Sequence, residues 1–350
     1  VSNVYAILHH PPGLSQRSGM YPLAEAVGAT SIFYERSWER LQEKSWTLGS
    51  WLRAFGNAYY GTAWNALVPV RDELRFLRAI PRGPAIAHFL WGEFASPRWG
   101  GLFRRKGARL IGTFHASARR QPAVFGTRGA FRFADRITLM SKSQMPFFVE
   151  QAFPEERIRV ILHGVDTKFF SPGGPKTPSD GPLKGLLIGK TERDHEFMAG
   201  VLRKLPAGIL DLAVATAADQ RELYYAGVPN VRFLPRLEDQ QLVEAYRAAE
   251  LLIMPMLDCA ANNVVLEAMA CGTPVMINRV GGVPEYVAED GNFIMDRKEP
   301  DEWVDRIVEL ARNKERVCAK APQVRRWAEQ LSWTRIAAQY RSLYDEALES

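Results

Sequence analysis

Cysteine is scarce: Cys259, Cys271 and Cys318 are the only three in 350 residues. An odd number cannot all pair, and none stands in a C-x-x-C spacing, so neither a disulfide framework nor a cysteine metal site is expected. A reducing cytoplasm is the simplest compartment, with a peripheral position at the inner face of a membrane as the variant. Long apolar runs are also lacking, which excludes a spanning helix from the reading. The opening VSNVYAILHHPPG has no basic n-region and is broken by His9, His10, Pro11 and Pro12, unlike a signal peptide. Acid is missing in one place above all. Between Arg98 and Arg136 ten Lys/Arg face the single acid Asp135, in a chain of formal net charge +6. Trp99, Phe103, Phe125, Phe131 and Phe133 are interleaved there. Such a stretch suits an anionic partner (membrane lipid, an acidic acceptor or nucleic acid) and equally a solvated basic surface.

What is present is a globular composition, 47% hydrophobic and 24% charged, in a length that suits two domains. Short apolar runs alternate with helical periodicity, the pattern of open α/β sheets. Strands are expected at 4–10, 31–35, 85–90, 109–115, 136–141 and 158–164, with a helix at 22–29 and covering helices within 38–80. The segment SPGGPKTPSDGP, 171–182, has four prolines and three glycines and reads as a linker. A second alternation follows: strands at 183–189, 210–216, 231–235, 251–256 and 273–278, helices at 196–205, 241–250 and 264–271, then a helical tail. Ligand is expected in a cleft at the carboxyl ends of the strands.

Several residues stand where chemistry would need them. In VVLEAMACGTPV, Glu267 is an acid among small and apolar residues, so it must be solvated, capping or hydrogen-bonded. A ribose diol is a good partner for it, and the amides at Asn262, Asn263 and Val264 would face a diphosphate from the helix start. A plain acid on a surface helix is the bland alternative. The loop after the strand at 183–189 offers Gly189, Lys190 and Arg193, two cations able to neutralise a leaving diphosphate; alternatively Asp194 caps the next helix and Arg193 pairs locally. Gly281 and Gly282 permit close backbone approach, or simply a turn. In the first half, HHPPGLSQRSGM (9–20) carries Gly13 and Gly19 and could bring amides to a phosphate or sugar. His115 ends a strand and is either structural or cleft-facing; His88 is a weaker case of the same argument.

Taken together, LEAMACGTPVMINRVGGVPEYV, ILHGVDTKFFSPG, AYRAAELLIMPM and LSWTRIAAQYRSLYDEAL resemble the retaining glycosyltransferases of family 4. The similarity covers most of the chain and is strongest in its second half. It implies a GT-B fold: two Rossmann-like α/β/α domains facing a central cleft, with a C-terminal helix crossing back to the first. The expected division is 1–171 (acceptor side), 172–182 (linker), 183–325 (nucleotide-sugar side) and 326–350 (returning helix). By the same resemblance Glu267 holds the ribose, Lys190 and Arg193 bind the diphosphate, and Gly19 lies near the distal phosphate. His115 lines the acceptor side and the reacting sugar as a catalytic residue with Lys190 and Arg193, and His88 also stands on the acceptor side. No D-x-D occurs in the chain, in keeping with a family that usually works without a divalent metal.

The chain departs from the family pattern at two points. The first glutamate of the E-x7-E pair would fall on Cys259, and a thiol cannot supply two acceptor oxygens. Asp258, Asn262 or Asn263 are the candidates to replace it on the donor sugar. The Lys-Gly pair usual after the first strand of the domain is replaced by ERDHEF. The expected activity is transfer of a sugar from a UDP- or GDP-sugar to a hydroxyl acceptor, lipid-linked or otherwise anionic, in cell-surface glycan or glycolipid assembly. Membrane contact through 98–136 is expected, and no nucleic acid. A natural-product glycosyltransferase, a nucleotide-sugar epimerase and a non-catalytic binding protein are the alternatives.

Overall fold

A computed structural model of the protein describes residues 3–8, 17–34, 70–94, 100–125 and 130–350. The expected helices at 38–69, the loop 9–16 with Gly13, and Arg98, Trp99 and Arg128 lie outside these. The chain divides into two compact units. One comprises 1–16, 20–163 and 334–350; the other comprises 17–19 and 164–333. Besides the short stretch 17–19, the divisions fall at 163/164 and 333/334. The second boundary is held by Trp333, whose indole leaves no room for a side chain at Gly164, and by a bridge between Val165 and Ser332.

The first unit is built on Val4–Leu8 (β1), Thr30–Phe33 (β2), Ala85–Phe89 (β3), Ala108–Phe114 (β4), Arg136–Leu139 (β5) and Ile158–Val160 (β6). They form one parallel sheet in the order β2-β1-β3-β4-β5-β6. Tyr21–Ala26 (α1), Val70–Ala79 (α2), Gly100–Arg105 (α3), Gln121–Phe125 (α4) and Met145–Glu150 (α5) connect or cover the strands. β3 is buried along its whole length, as a parallel strand covered on both faces must be. The aromatics of the basic stretch belong to this interior: Phe103, Phe125, Phe131 and Phe133 pack in one core cluster with Phe114 and Phe148. They are therefore core hydrophobes, and the described part of 98–136 offers no aromatic anchors to a membrane. Arg104 pairs with Asp135 and the Phe133 carbonyl, and the Lys106 ammonium reaches the Leu77 and Ile80 carbonyls.

The second unit repeats the plan. Its strands are Leu183–Ile188 (β7), Leu210–Ala215 (β8), Val231–Phe233 (β9), Leu251–Met254 (β10), Val275–Asn278 (β11) and Phe293–Met295 (β12). Its helices are His195–Lys204 (α6), Ala218–Tyr225 (α7), Asp239–Ala248 (α8), Asn263–Ala270 (α9), Val283–Tyr286 (α10), Pro300–Arg312 (α11), Lys314–Cys318 (α12) and Ala321–Gln330 (α13). The parallel sheet runs β12-β11-β10-β7-β8-β9, so the order reverses between β7 and β10. The linker segment is tied to this unit. Lys176 donates to the carbonyls of Tyr246, Arg247 and Ala249 at the end of α8, while the buried Glu250 accepts the amides of Ser179 and Lys184. Burial pushes the Lys176 ammonium down to about 8.

The last helix, Trp333–Glu349 (α14), buries Ile336, Ala337, Tyr340, Leu343, Tyr344 and Ala347, a stripe at helical spacing, and its residues from Thr334 on belong to the first unit. Under it lies His88. Nδ1 of His88 is 2.8 Å from the Tyr344 hydroxyl, and Nε2 is 2.7 Å from Thr113 Oγ1, which is 2.5 Å from Thr138 Oγ1. This corrects the expectation for His88: it is wholly buried with both nitrogens engaged, a docking residue for α14 rather than an acceptor-side group.

Candidate functional site

In a doubly wound sheet the loops at the reversal of strand order diverge and leave a crevice at the carboxyl ends of the strands. In the second unit those loops are 189–194, after β7, and 255–262, after β10. Their backbones are joined: Asp194 N–H donates to Pro255 O at 2.8 Å, Leu257 N–H to Glu192 O at 2.9 Å, and Arg193 bridges Met256. Asn278, at the end of β11, grips Met256 through its N–H (2.7 Å) and carbonyl (3.1 Å), fixing the second loop from the other side.

Gly189 has φ +100°, and a Cβ there would stand 2.9 Å from the Arg193 guanidinium, so the position needs glycine twice over. Arg193 folds back into the loop. It donates to Ile188 O (3.0 Å), Thr191 O (2.7 Å) and Asn262 Oδ1 (3.2 Å), and burial pulls its pKa down. Asn262 is also the N-cap of α9, accepting the Val265 N–H. Arg193 thus ties the β7 loop to the start of the helix that carries Glu267. Asp194 does cap α6, accepting the Phe197 N–H at 3.0 Å, and pairs with Lys298 at 2.5 Å. Lys190 is about half exposed and paired with the exposed Asp219.

Glu267 is the buried acid of the site, 3% exposed. Its Oε1 accepts the Ser18 hydroxyl at 2.5 Å and its Oε2 the Tyr246 hydroxyl at 2.8 Å. Desolvation raises its pKa, and these two hydrogen bonds with the charge of Arg193 oppose the rise. Asn263 and Val264 are half-buried beside it. Ser18 and Tyr246 were not singled out as site residues from sequence. Tyr246 stood in the AYRAAE segment, but only the pairing of α8 with α9 gives it a role. Gly19, at φ +69°, follows Ser18 in the short stretch packed with this unit.

The DCAANN loop turns inward. Asp258 is buried, and its Oδ1 accepts the Cys259 N–H at 2.7 Å. The Cys259 carbonyl accepts the Gly282 N–H at 2.7 Å, and a Cβ on Gly281 (φ +50°) would collide with that carbonyl and with the Asp258 carboxylate. The glycine pair therefore serves a loop-to-loop contact. Burial pushes the Cys259 thiol up to about 12, which keeps it protonated and unfit to replace a carboxylate.

In the first unit His115 ends β4. Its Nε2 is 2.7 Å from the Leu90 carbonyl, so the neutral ring carries its proton there and leaves Nδ1 an acceptor. The ring stacks on Trp91 at 5.5 Å, and its amide is held, with that of Ala116, by the buried Glu93. Among the described residues no cluster of three or more His, Cys, Asp or Glu is placed to hold a metal ion, and no helix is long and apolar enough to cross a membrane.

Residues 190–313 match the family model described as Glycosyl transferases group 1. A D-inositol 3-phosphate glycosyltransferase of Saccharomonospora viridis is 26% identical over 307 residues, 73% of this chain and 67% of that protein. The enzyme of the same name from Corynebacterium efficiens is 34% identical over 218 residues, 55% of this chain and 51% of its own. The chain thus spans about two thirds of the one relative and about half of the other. Among solved structures, Anabaena HepE in complex with UDP and glucose superposes with a TM-score of 0.72 at 14% identity, covering 99% of this chain and 100% of its own. Sucrose-phosphate synthase from Thermosynechococcus elongatus gives 0.68 at 17% identity, covering 99% of both. Two parallel six-stranded α/β units give the chain the GT-B fold of these structures, and residues 190–313, which include the buried Glu267, are similar to the group 1 glycosyltransferases.

Proposed function

We propose that the protein transfers a sugar from a UDP- or GDP-sugar to a hydroxyl acceptor, with retention of configuration and without a divalent metal. Glu267 carries the reading. It is a buried carboxylate in a helix that starts at the strand-order reversal, and both its oxygens take hydroxyl donors. A ribose diol brings donors of the same kind. The amides at Asn262–Val264 supply partial positive charge for a diphosphate. Arg193 adjoins them through Asn262. Lys190 can exchange its exposed partner for a phosphate at little cost, because such surface pairs contribute little. These groups would stabilise the charge on the departing nucleoside diphosphate, the work a metal does elsewhere.

The donor reading is supported by the complexes of HepE with UDP and with UDP-glucose. For the acceptor, the relatives' name points to a small phosphorylated polyol, and the basic residues of 98–136 suit an anion. A lipid-linked acceptor in cell-surface glycan or glycolipid assembly offers similar chemistry. It is the weaker reading, because the phenylalanines that would anchor the protein at a membrane lie in the core. His115 remains the acceptor-side residue, with Nδ1 as a hydrogen-bond acceptor for a hydroxyl.

UDP or GDP is expected to raise the thermal midpoint, and Glu267→Ala to abolish the rise; no shift with either nucleotide overturns the assignment. In the same preparation, EDTA should leave transfer to D-inositol 3-phosphate intact while unphosphorylated inositol is a poor acceptor. Binding without transfer or hydrolysis across a panel of nucleotide sugars would point to a non-catalytic protein.

A further inference from the structure

The two oxygens of Glu267 are held very differently. Oε2 faces a phenol seated in the interior. Tyr246 is fully buried, and its ring stands edge-on to Phe170 with centroids 6.2 Å apart. Its own carbonyl accepts Thr273 Oγ1 at 2.6 Å and Lys176 Nζ at 3.2 Å. Oε1 instead takes the hydroxyl of Ser18, from a three-residue stretch distant in sequence from the rest of the unit. One oxygen is therefore fixed by the interior, and the other receives an alcohol from outside the helices α8 and α9.

We propose that Tyr246 is a positioning residue for the nucleotide. It holds one oxygen of Glu267 so that the other is presented to a ribose hydroxyl, a place taken by the Ser18 hydroxyl in this structure. The inference rests on the nucleotide reading of Glu267. The physical reason lies in the cost of a buried carboxylate: without a donor fixed by the interior, it would rotate toward whatever donor is nearest or take up a proton. The groups acting on Glu267 are Ser18, Tyr246 and the charges of Asp239 and Arg193; Glu267 in turn acts on Cys271. Of these, Tyr246 is the one that combines complete burial with a direct hydrogen bond.

The test compares UDP with 2′,3′-dideoxy-UDP, which lacks the diol, by calorimetry on the wild-type protein, Tyr246→Phe and Glu267→Gln. The wild type should prefer UDP by about tenfold or more, the value of a hydrogen bond to a charged acceptor. Glu267→Gln should lose most of that preference. Tyr246→Phe should also lose it, with affinity for the dideoxy nucleotide unchanged, and its UDP binding should fail at a higher pH than wild type. That direction follows because removing a donor from the ionised carboxylate raises its pKa further, and the titration of UDP itself is common to both proteins. A wild type indifferent to the diol overturns the ribose reading. Wild-type preference and pH profile in Tyr246→Phe, with preference lost in Glu267→Gln, overturns the role of Tyr246 alone. Should Tyr246→Phe not fold, replacement of tyrosine by 3-fluorotyrosine makes the phenol a stronger donor. UDP binding must then persist to lower pH, and an unchanged profile overturns the proposal.

Discussion

Glu267 is a carboxyl that the fold would rather keep neutral. Burial raises its pKa, so the folded protein binds that proton more tightly than the unfolded chain does. The sign for stability follows. At pH above both values the charge works against folding, and the penalty fades as the pH falls through the folded value. Glu267→Gln removes the charge but keeps the shape and an acceptor for Tyr246. We expect its thermal midpoint at pH 8 to rise by about 2–4 °C, the shift that ~1 kcal/mol makes in a unit of this size. The gain should shrink toward pH 5, as scanning calorimetry at both values will show. An equal gain at both would mean that the charge is not its source. The acid itself was legible in the sequence, because Glu267 is out of place among Val265, Leu266, Ala268 and Met269. Its hydroxyl partners were not, since Ser18 lies 249 positions away.

At the scale of elements, α14 shows how a periodic stripe and a buried polar network divide the work. Ile336, Ala337, Tyr340, Leu343, Tyr344 and Ala347 share one helical face, which the sequence displays directly. The hydrogen bond between Tyr344 and His88 crosses 256 positions and fixes the seat of that face. Tyr344→Phe keeps the apolar stripe and leaves a ring nitrogen of His88 without its partner. We expect it to destabilise the first unit by about 1–3 kcal/mol, read from urea unfolding; a change below a few tenths would mean that packing alone docks the helix. The DCAANN loop teaches a related lesson. Its polar composition suggests contacts to a sugar, and in the structure Asp258 Oδ1 and the Cys259 carbonyl engage their own backbone and the Gly281–Gly282 turn. Polar residues in a short loop bond locally before they bond to anything else.

At the scale of the whole molecule, the two units should respond differently to acid. His88 is pushed down to about 3 by burial, with the charge of His115 adding to the effect, from an ordinary 6.5. A histidine buried neutral contributes stability above its unfolded value and loses it as the pH falls toward the folded one. The first unit should therefore weaken from about pH 6.5 downward, by up to about 1.4 kcal/mol per pH unit, the worth of one proton. His88→Gln, which keeps two hydrogen-bonding ends, should flatten that limb in urea unfolding between pH 7 and 4. A slope unchanged in the variant would assign the loss to other groups.

The sequence by itself determined the two α/β units, the linker composition, the acid of the second unit and the two cations of the loop after β7, because hydrophobic periodicity and residue type are local properties of the chain. Only the tertiary structure decided which polar groups face one another. It put His88 under α14 rather than toward a ligand, and the phenylalanines of the basic stretch in the core rather than at a surface. It turned Asp258 to its own loop, and brought Tyr246 and Ser18 to Glu267. The reason is physical: a strand or helix is specified by neighbours a few residues away, whereas a buried polar atom must find its partner wherever the fold brings one.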